Sequence, residues 1–224
     1  MAKSKKKKVV KKVVQPVFNP QKYVIEAGRK LPIHSCLVNE GWDEMGMAVV
    51  IVVRLRPKGT YVIGTYIVDT FCLGVKDTGW QFDVDDDHLN RLQEGMDLDF
   101  TEIESDVAFN IIYGAIRYAK QFDFQPHKDF ATTQYILDAF SSIEDLELTF
   151  GKDGKPHYVQ GPHDKPLSIM QKLERKVGKD GFTFIGESDS MRGMHLFDKD
   201  EEDDFEEDDD DYAEYEEIKD EQKK

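Results

Sequence analysis

Two β-rich runs, Met45 to Arg56 and Thr60 to Val75, stand on either side of the turn signal Arg56-Pro57-Lys58-Gly59, and this pattern constrains the fold more than any other in the chain. Val and Ile dominate both runs. Proline and glycine between them favour a tight reversal, so the runs are expected to pair as a long antiparallel hairpin. Both alternating faces of residues 61–75 are largely apolar, which predicts a central strand covered on each side. Ile33 to Val38 adds a shorter strand.

Downstream the period changes. Asp87 is expected to cap a short helix through Leu92. In a longer helix Val107, Ile111, Ile112, Ala115, Ile116 and Ala119 fall on one stripe, with Glu102, Glu104 and Asp106 at its start where the helix dipole favours acids. Phe124-Gln125-Pro126 should stop it. Phe130 to Phe140 reads as a second amphipathic helix, and Leu146, Leu148 and Phe150 alternate as a strand. Gly151-Lys152-Asp153-Gly154-Lys155 then turns into His157 to Gln160, giving a second short hairpin. A last helix runs from Pro166 to Gly178, followed by a strand from Phe182 to Ile185. The order predicts an α+β fold, an antiparallel sheet built on the long hairpin with packed helices, rather than a doubly wound parallel sheet.

Charge divides the chain into three. Residues 1–12 hold seven lysines and no acid, residues 198–224 hold 17 acids and four lysines, and residues 13–197 hold 28 acids and 19 bases, for a net charge of −15. We therefore expect a disordered Lys-rich arm over 1–22, one globular domain over 23–187 and a disordered acidic tail over 188–224, the tail being too poor in apolar residues to offset the entropy of ordering. An acidic body disfavours a broad nucleic-acid face. Non-specific nucleic-acid binding is left to the arm, through Lys5, Lys6, Lys7, Lys8, Lys11 and Lys12. The tail interleaves Phe205, Tyr212 and Tyr215 with its acids, a composition suited to docking on a basic partner. Lys11 and Lys12 interrupt the apolar pairs near the start, so no signal-peptide core is expected, and no uncharged run is long enough to span a membrane. Two cysteines, Cys36 and Cys72, without CxxC spacing suggest neither a disulfide framework nor a zinc site, and fit a reducing cytoplasm.

The stretch Ile67 to Asp77, IVDTFCLGVKD, carries the most chemistry. If residues 61–77 formed one unbroken strand, Asp69 would share a face with Ile63, Ile67 and Phe71, and Cys72 and Lys76 would stand roughly 13 Å apart, too far for a thiol–amine pair. Gly74 is the expected bend in such a strand. A carboxylate among Ile and Phe needs donors. Asp69 is therefore either a structural carboxylate served by a neighbouring turn or by an arginine such as Arg54, or an acid or metal ligand facing a cleft with His127 or Asp77 close by. The six histidines, at 34, 88, 127, 157, 163 and 195, lack HxxxH or HExxH spacing, so neither a metal nor a cofactor is expected. The loop YVQGPHDKP leads into a helix N-terminus, where Gly161, His163 and Lys165 are candidates for holding an anionic ligand.

The phrases VDTFCLGVKD at 68–77, FDFQPHKDF at 122–130 and FGKDGKPHYVQGP at 150–162 resemble, in the same order, those of a widespread bacterial family of uncharacterised proteins. The resemblance covers roughly residues 31–185. It implies that both charged ends lie outside the shared domain, and it carries over no activity and no functional residue.

Three functions remain open. A non-catalytic cytoplasmic interaction protein, whose charged arms modulate binding to a protein partner, requires no unexplained chemistry and leads. A hydrolase or nuclease-like enzyme would be built around Asp69, Asp77 and His127. An RNA- or ribosome-associated factor would act through the lysine arm.

Overall fold

The computed structural model describes residues 18–186. Most of the arm, with its six candidate lysines, and the acidic tail from residue 187 onward lie outside the described residues.

The expected hairpin is the spine of an α+β fold. Strands β1 (Ile33–Asn39), β2 (Met47–Leu55), β3 (Tyr61–Asp69), β4 (Gly74–Val84) and β5 (Phe100–Ile103) form one antiparallel sheet in the order β4-β3-β2-β1-β5. The β2–β3 register runs without a break from Met47↔Asp69 to Leu55↔Tyr61. Alternation along β2 then sorts its side chains. Val50 and Val52 face helix α4 (Ser105–Lys120), burying against Phe109, Ile112 and Ile116. Ile51 and Val53 face the opposite side, where Leu89 of helix α3 (Asp86–Glu94) covers them. Burying both faces of the central strands is the main source of stability, at roughly 25 cal/mol per Å² of apolar surface.

A third apolar cluster joins Cys72, Ala119 and Phe124 to Tyr158 and Leu173. It seats a small layer made of strand β6 (His157–Val159), helix α6 (Pro166–Val177) and strand β7 (Thr183–Ile185) against the end of α4 and the turn after β3. No helix among the described residues is long and apolar enough to cross a membrane.

Several expectations are corrected. Residues 61–77 are not one strand, because β3 ends at Asp69 and the chain reverses through Thr70–Leu73 into β4, which continues well past Asp77 to Val84. No antiparallel second hairpin forms. The turn at 151–155 is present, with Lys152 bridged to Lys155, but β6 pairs in parallel with β7. Leu146 to Phe150 alternates because it lies along α4 rather than in a sheet: Asn110 takes the carbonyl of Glu144 and the amide of Leu146, and Phe150 covers Gly114, where a Cβ would clash.

The helix expected over 130–140 shrinks to the single turn α5 (Phe130–Thr133) followed by short 3₁₀ turns at Gln134–Ile136 and Phe140–Ser142. Buried donors have captured the carbonyls that a helix would use. Tyr66 Oη donates to Thr133 O at 2.8 Å, Tyr113 Oη donates to Asp138 O at 2.8 Å, and Arg54 donates to Ile136 O and pairs with Asp138 at 2.6 Å. At the start of the described chain, Asn19-Pro20 is a helix cap rather than arm. The Asn19 side chain accepts from Lys22 N, opening helix α1 (Pro20–Ala27) three residues inside the span expected to be disordered.

Candidate functional site

The IVDTFCLGVKD stretch folds as a strand end, a turn and a new strand. Asp69 Oδ1 accepts the backbone N–H groups of Phe71 and Cys72, both at 2.9 Å, and so closes the turn. Its donors come from the neighbouring turn, while Arg54 is committed elsewhere. Burial pushes the Asp69 carboxyl up to about 6, against the amides and Lys76, which pull it down. Gly74 stands at φ +73°, and a Cβ there would lie 3.0 Å from Ala119 Cβ and 3.2 Å from Ala115 O. Glycine thus lets the turn sit directly on α4.

This placement aims β4 at the small layer. The Val75 carbonyl accepts His127 N at 2.9 Å, holding the Phe124–Asp129 segment along the strand edge. One residue on, Lys76 reaches Asp164, with Nζ–Oδ2 at 2.9 Å. The same carboxylate oxygen accepts Gly161 N at 2.7 Å and Tyr158 Oη at 3.3 Å, and thereby shapes the loop 160–165. A Cβ at Gly161 would stand 2.9 Å from Lys76 Nζ and 3.1 Å from Asp164 Oδ2, so a side chain there would push on the ion pair. The loop delivers Lys165 to the start of α6, where unpaired backbone N–H groups add partial positive charge.

Between these elements lies an open cleft of about 550 Å³. Leu73, Val75 and Ile169 give it an apolar floor. Lys76, Lys128, Lys165 and Lys172 line it with the imidazoles of His127 and His163, and Asp164 is its one carboxylate. Lys172 Nζ also stands 5.9 Å from the Phe124 ring centroid, within cation–π range. Four lysines thus converge on a body that is acidic overall.

His127 is approached by two carboxylates, Asp77 at 3.7 Å and Asp129 at 3.8 Å, both beyond direct hydrogen bonding. Its Nδ1 accepts the Asp129 N–H at 3.4 Å. Of the proposed catalytic group, Asp77 and His127 are neighbours but only His127 lines the cleft, and Asp69 is spent on its turn. Among the described residues no three His, Cys, Asp or Glu side chains are placed to hold a metal ion.

The anionic-ligand candidates fare differently. His163 and Lys165 line the cleft and Gly161 abuts it. Sequence reasoning missed Lys76, which is held in the site rather than solvated, as well as Lys128, Asp164 and Lys172. Lys165 and Lys172 are seven residues apart, two helical turns, so the face they share was readable from spacing. No protein-family model, curated protein or solved structure matches the chain.

Proposed function

We propose that this is a cytoplasmic, non-catalytic interaction protein whose cleft docks an acidic peptide segment. One observation carries the reading: lysines from three separated parts of the chain, β4, the 124–129 segment and α6, converge above an apolar floor, and the single carboxylate among them is already bonded three times. Cationic rims select acidic partners and speed encounter, while an apolar floor rewards an interleaved aromatic or aliphatic side chain.

The test uses a fluorescein-labelled peptide of Glu and Asp with a central Phe, titrated into the full chain, with a Gln/Asn peptide as control. Saturable binding of the acidic peptide alone is expected. Reversal of three charges at roughly 1 kcal/mol each makes the Lys128→Glu, Lys165→Glu, Lys172→Glu variant about 100-fold weaker. Binding that ignores these substitutions overturns the reading. Displacement of the peptide by single-stranded RNA at lower concentration than by unlabelled peptide would favour the nucleic-acid alternative.

A further inference from the structure

We infer that the cleft is occupied in cis by the chain's own acidic segment, residues 198–211. This rests on reading the cleft as an acid-binding site.

Position is the first support. β7 is the last described strand, and its final residue lies beside the cleft loop: Val159 pairs with Ile185, and Gln160 N donates to Ile185 O at 2.9 Å. Gln160 immediately precedes Gly161, which shares the Asp164 carboxylate with Lys76, and is three residues from His163 on the cleft wall. The chain therefore leaves the described fold next to the loop that carries His163 and Lys165 to the cleft. Eleven residues separate Gly186 from Asp198, an extended reach of about 40 Å, so access is not limited by length.

Composition is the second. Residues 198–211, DKDEEDDFEEDDDD, hold 12 acids, one lysine and one aromatic residue, Phe205. The acids complement Lys76, Lys128, Lys165 and Lys172. Phe205 complements the floor of Leu73, Val75 and Ile169. Tethering raises the effective concentration of the segment to about 1 mM, so an intrinsic Kd of about 100 µM already gives predominantly closed protein. A partner's acidic segment then competes against this occupant, and affinity for it is set by the tail as well as by the cleft.

The experiment compares the full chain with a full-length variant in which every Asp and Glu at 198–211 is changed to Asn or Gln. The probe is a labelled peptide of the sequence DEEDDFEEDDDD. The neutralised variant is expected to bind the probe about tenfold more tightly, with Lys128→Glu plus Lys165→Glu abolishing that gain, and with amide shifts at Gly161 and Lys165 distinguishing the two parent chains in NMR spectra. If both chains bind equally and both are weakened by the lysine substitutions, the cleft binds acids but the tail does not occupy it. If neither binds, the reading of the cleft itself fails. A gain that survives the lysine substitutions overturns the inference too, since the tail would then be screening residues 1–12 rather than the cleft.

Discussion

Asp164 and Lys76, 88 positions apart in sequence, meet with Oδ2 and Nζ 2.9 Å apart, and the same carboxylate also takes the Gly161 amide and the Tyr158 hydroxyl. Asp164 is therefore the joint between the sheet and the small layer. Asp164→Ala strands three donors, one of them the hydroxyl of fully buried Tyr158, and is expected to cost about 1–3 kcal/mol. Lys76→Ala removes one donor from a carboxylate that keeps two, so the loss should be smaller. Urea unfolding of the two variants checks the order, and a Lys76→Ala protein less stable than Asp164→Ala would contradict it.

Asp69 should impose a pH dependence on stability. Its ordinary value is 3.8 and its folded value is about 6, so between these the native chain holds a proton that the unfolded chain has released. Stability contributed at this site therefore falls as pH rises from about 4 to 6 and is level above that. Relative to wild type, Asp69→Asn should gain on the order of 2 kcal/mol between pH 4 and 7. Denaturant titrations across that range decide it. A wild type that gains on Asp69→Asn as pH rises would mean that the turn amides outweigh burial.

Gly74 and Gly59 share a left-handed backbone, at φ +73° and +76°, but only Gly74 is enclosed. Alanine at Gly59 meets open space and should cost about 1 kcal/mol of backbone strain. Gly74→Ala adds the encounter with Ala115 and Ala119 and should cost at least twice as much, as well as loosening the cleft wall that begins at Val75. Thermal melts of the two variants provide the comparison.

Neither thiol should react in the native state. Cys36 and Cys72 are buried, and burial pushes Cys36 up to about 12 and Cys72 higher still. Iodoacetamide at pH 8 should leave both unlabelled until denaturant is added. Labelling at the rate of a free thiol would show that the sheet face opens readily.

The spine was legible because its signals are local: Arg56-Pro57-Lys58-Gly59 between two Val/Ile runs can do little except reverse. Helix α4, with its clear stripe, and helix α6, opened by Pro166, were legible for the same reason. What failed depended on distant partners. Residues 130–140 carry a helical pattern, yet Arg54, Tyr66 and Tyr113 from elsewhere in the chain claim its carbonyls. The β3–β4 reversal was hidden because its turn is apolar, Thr70-Phe71-Cys72-Leu73, and is specified by the side chain of Asp69 rather than by proline. At the cleft, His163 and Lys165 were readable from one loop. Lys76 and Lys128 join them only through the hydrogen bond between His127 and Val75 and the Asp164 ion pair, neither of which leaves a local trace.

The parallel pairing of β6 with β7 has a consequence for synthesis. Gln160 finds its acceptor only when Ile185 has been made, so a growing chain carries all four cleft lysines before the loop that organises them is pinned. The cationic surface is thus assembled late, by a strand that precedes the twelve acids of 198–211 by only 13 residues. A nascent chain has scarcely completed its basic face before the segment able to neutralise it follows.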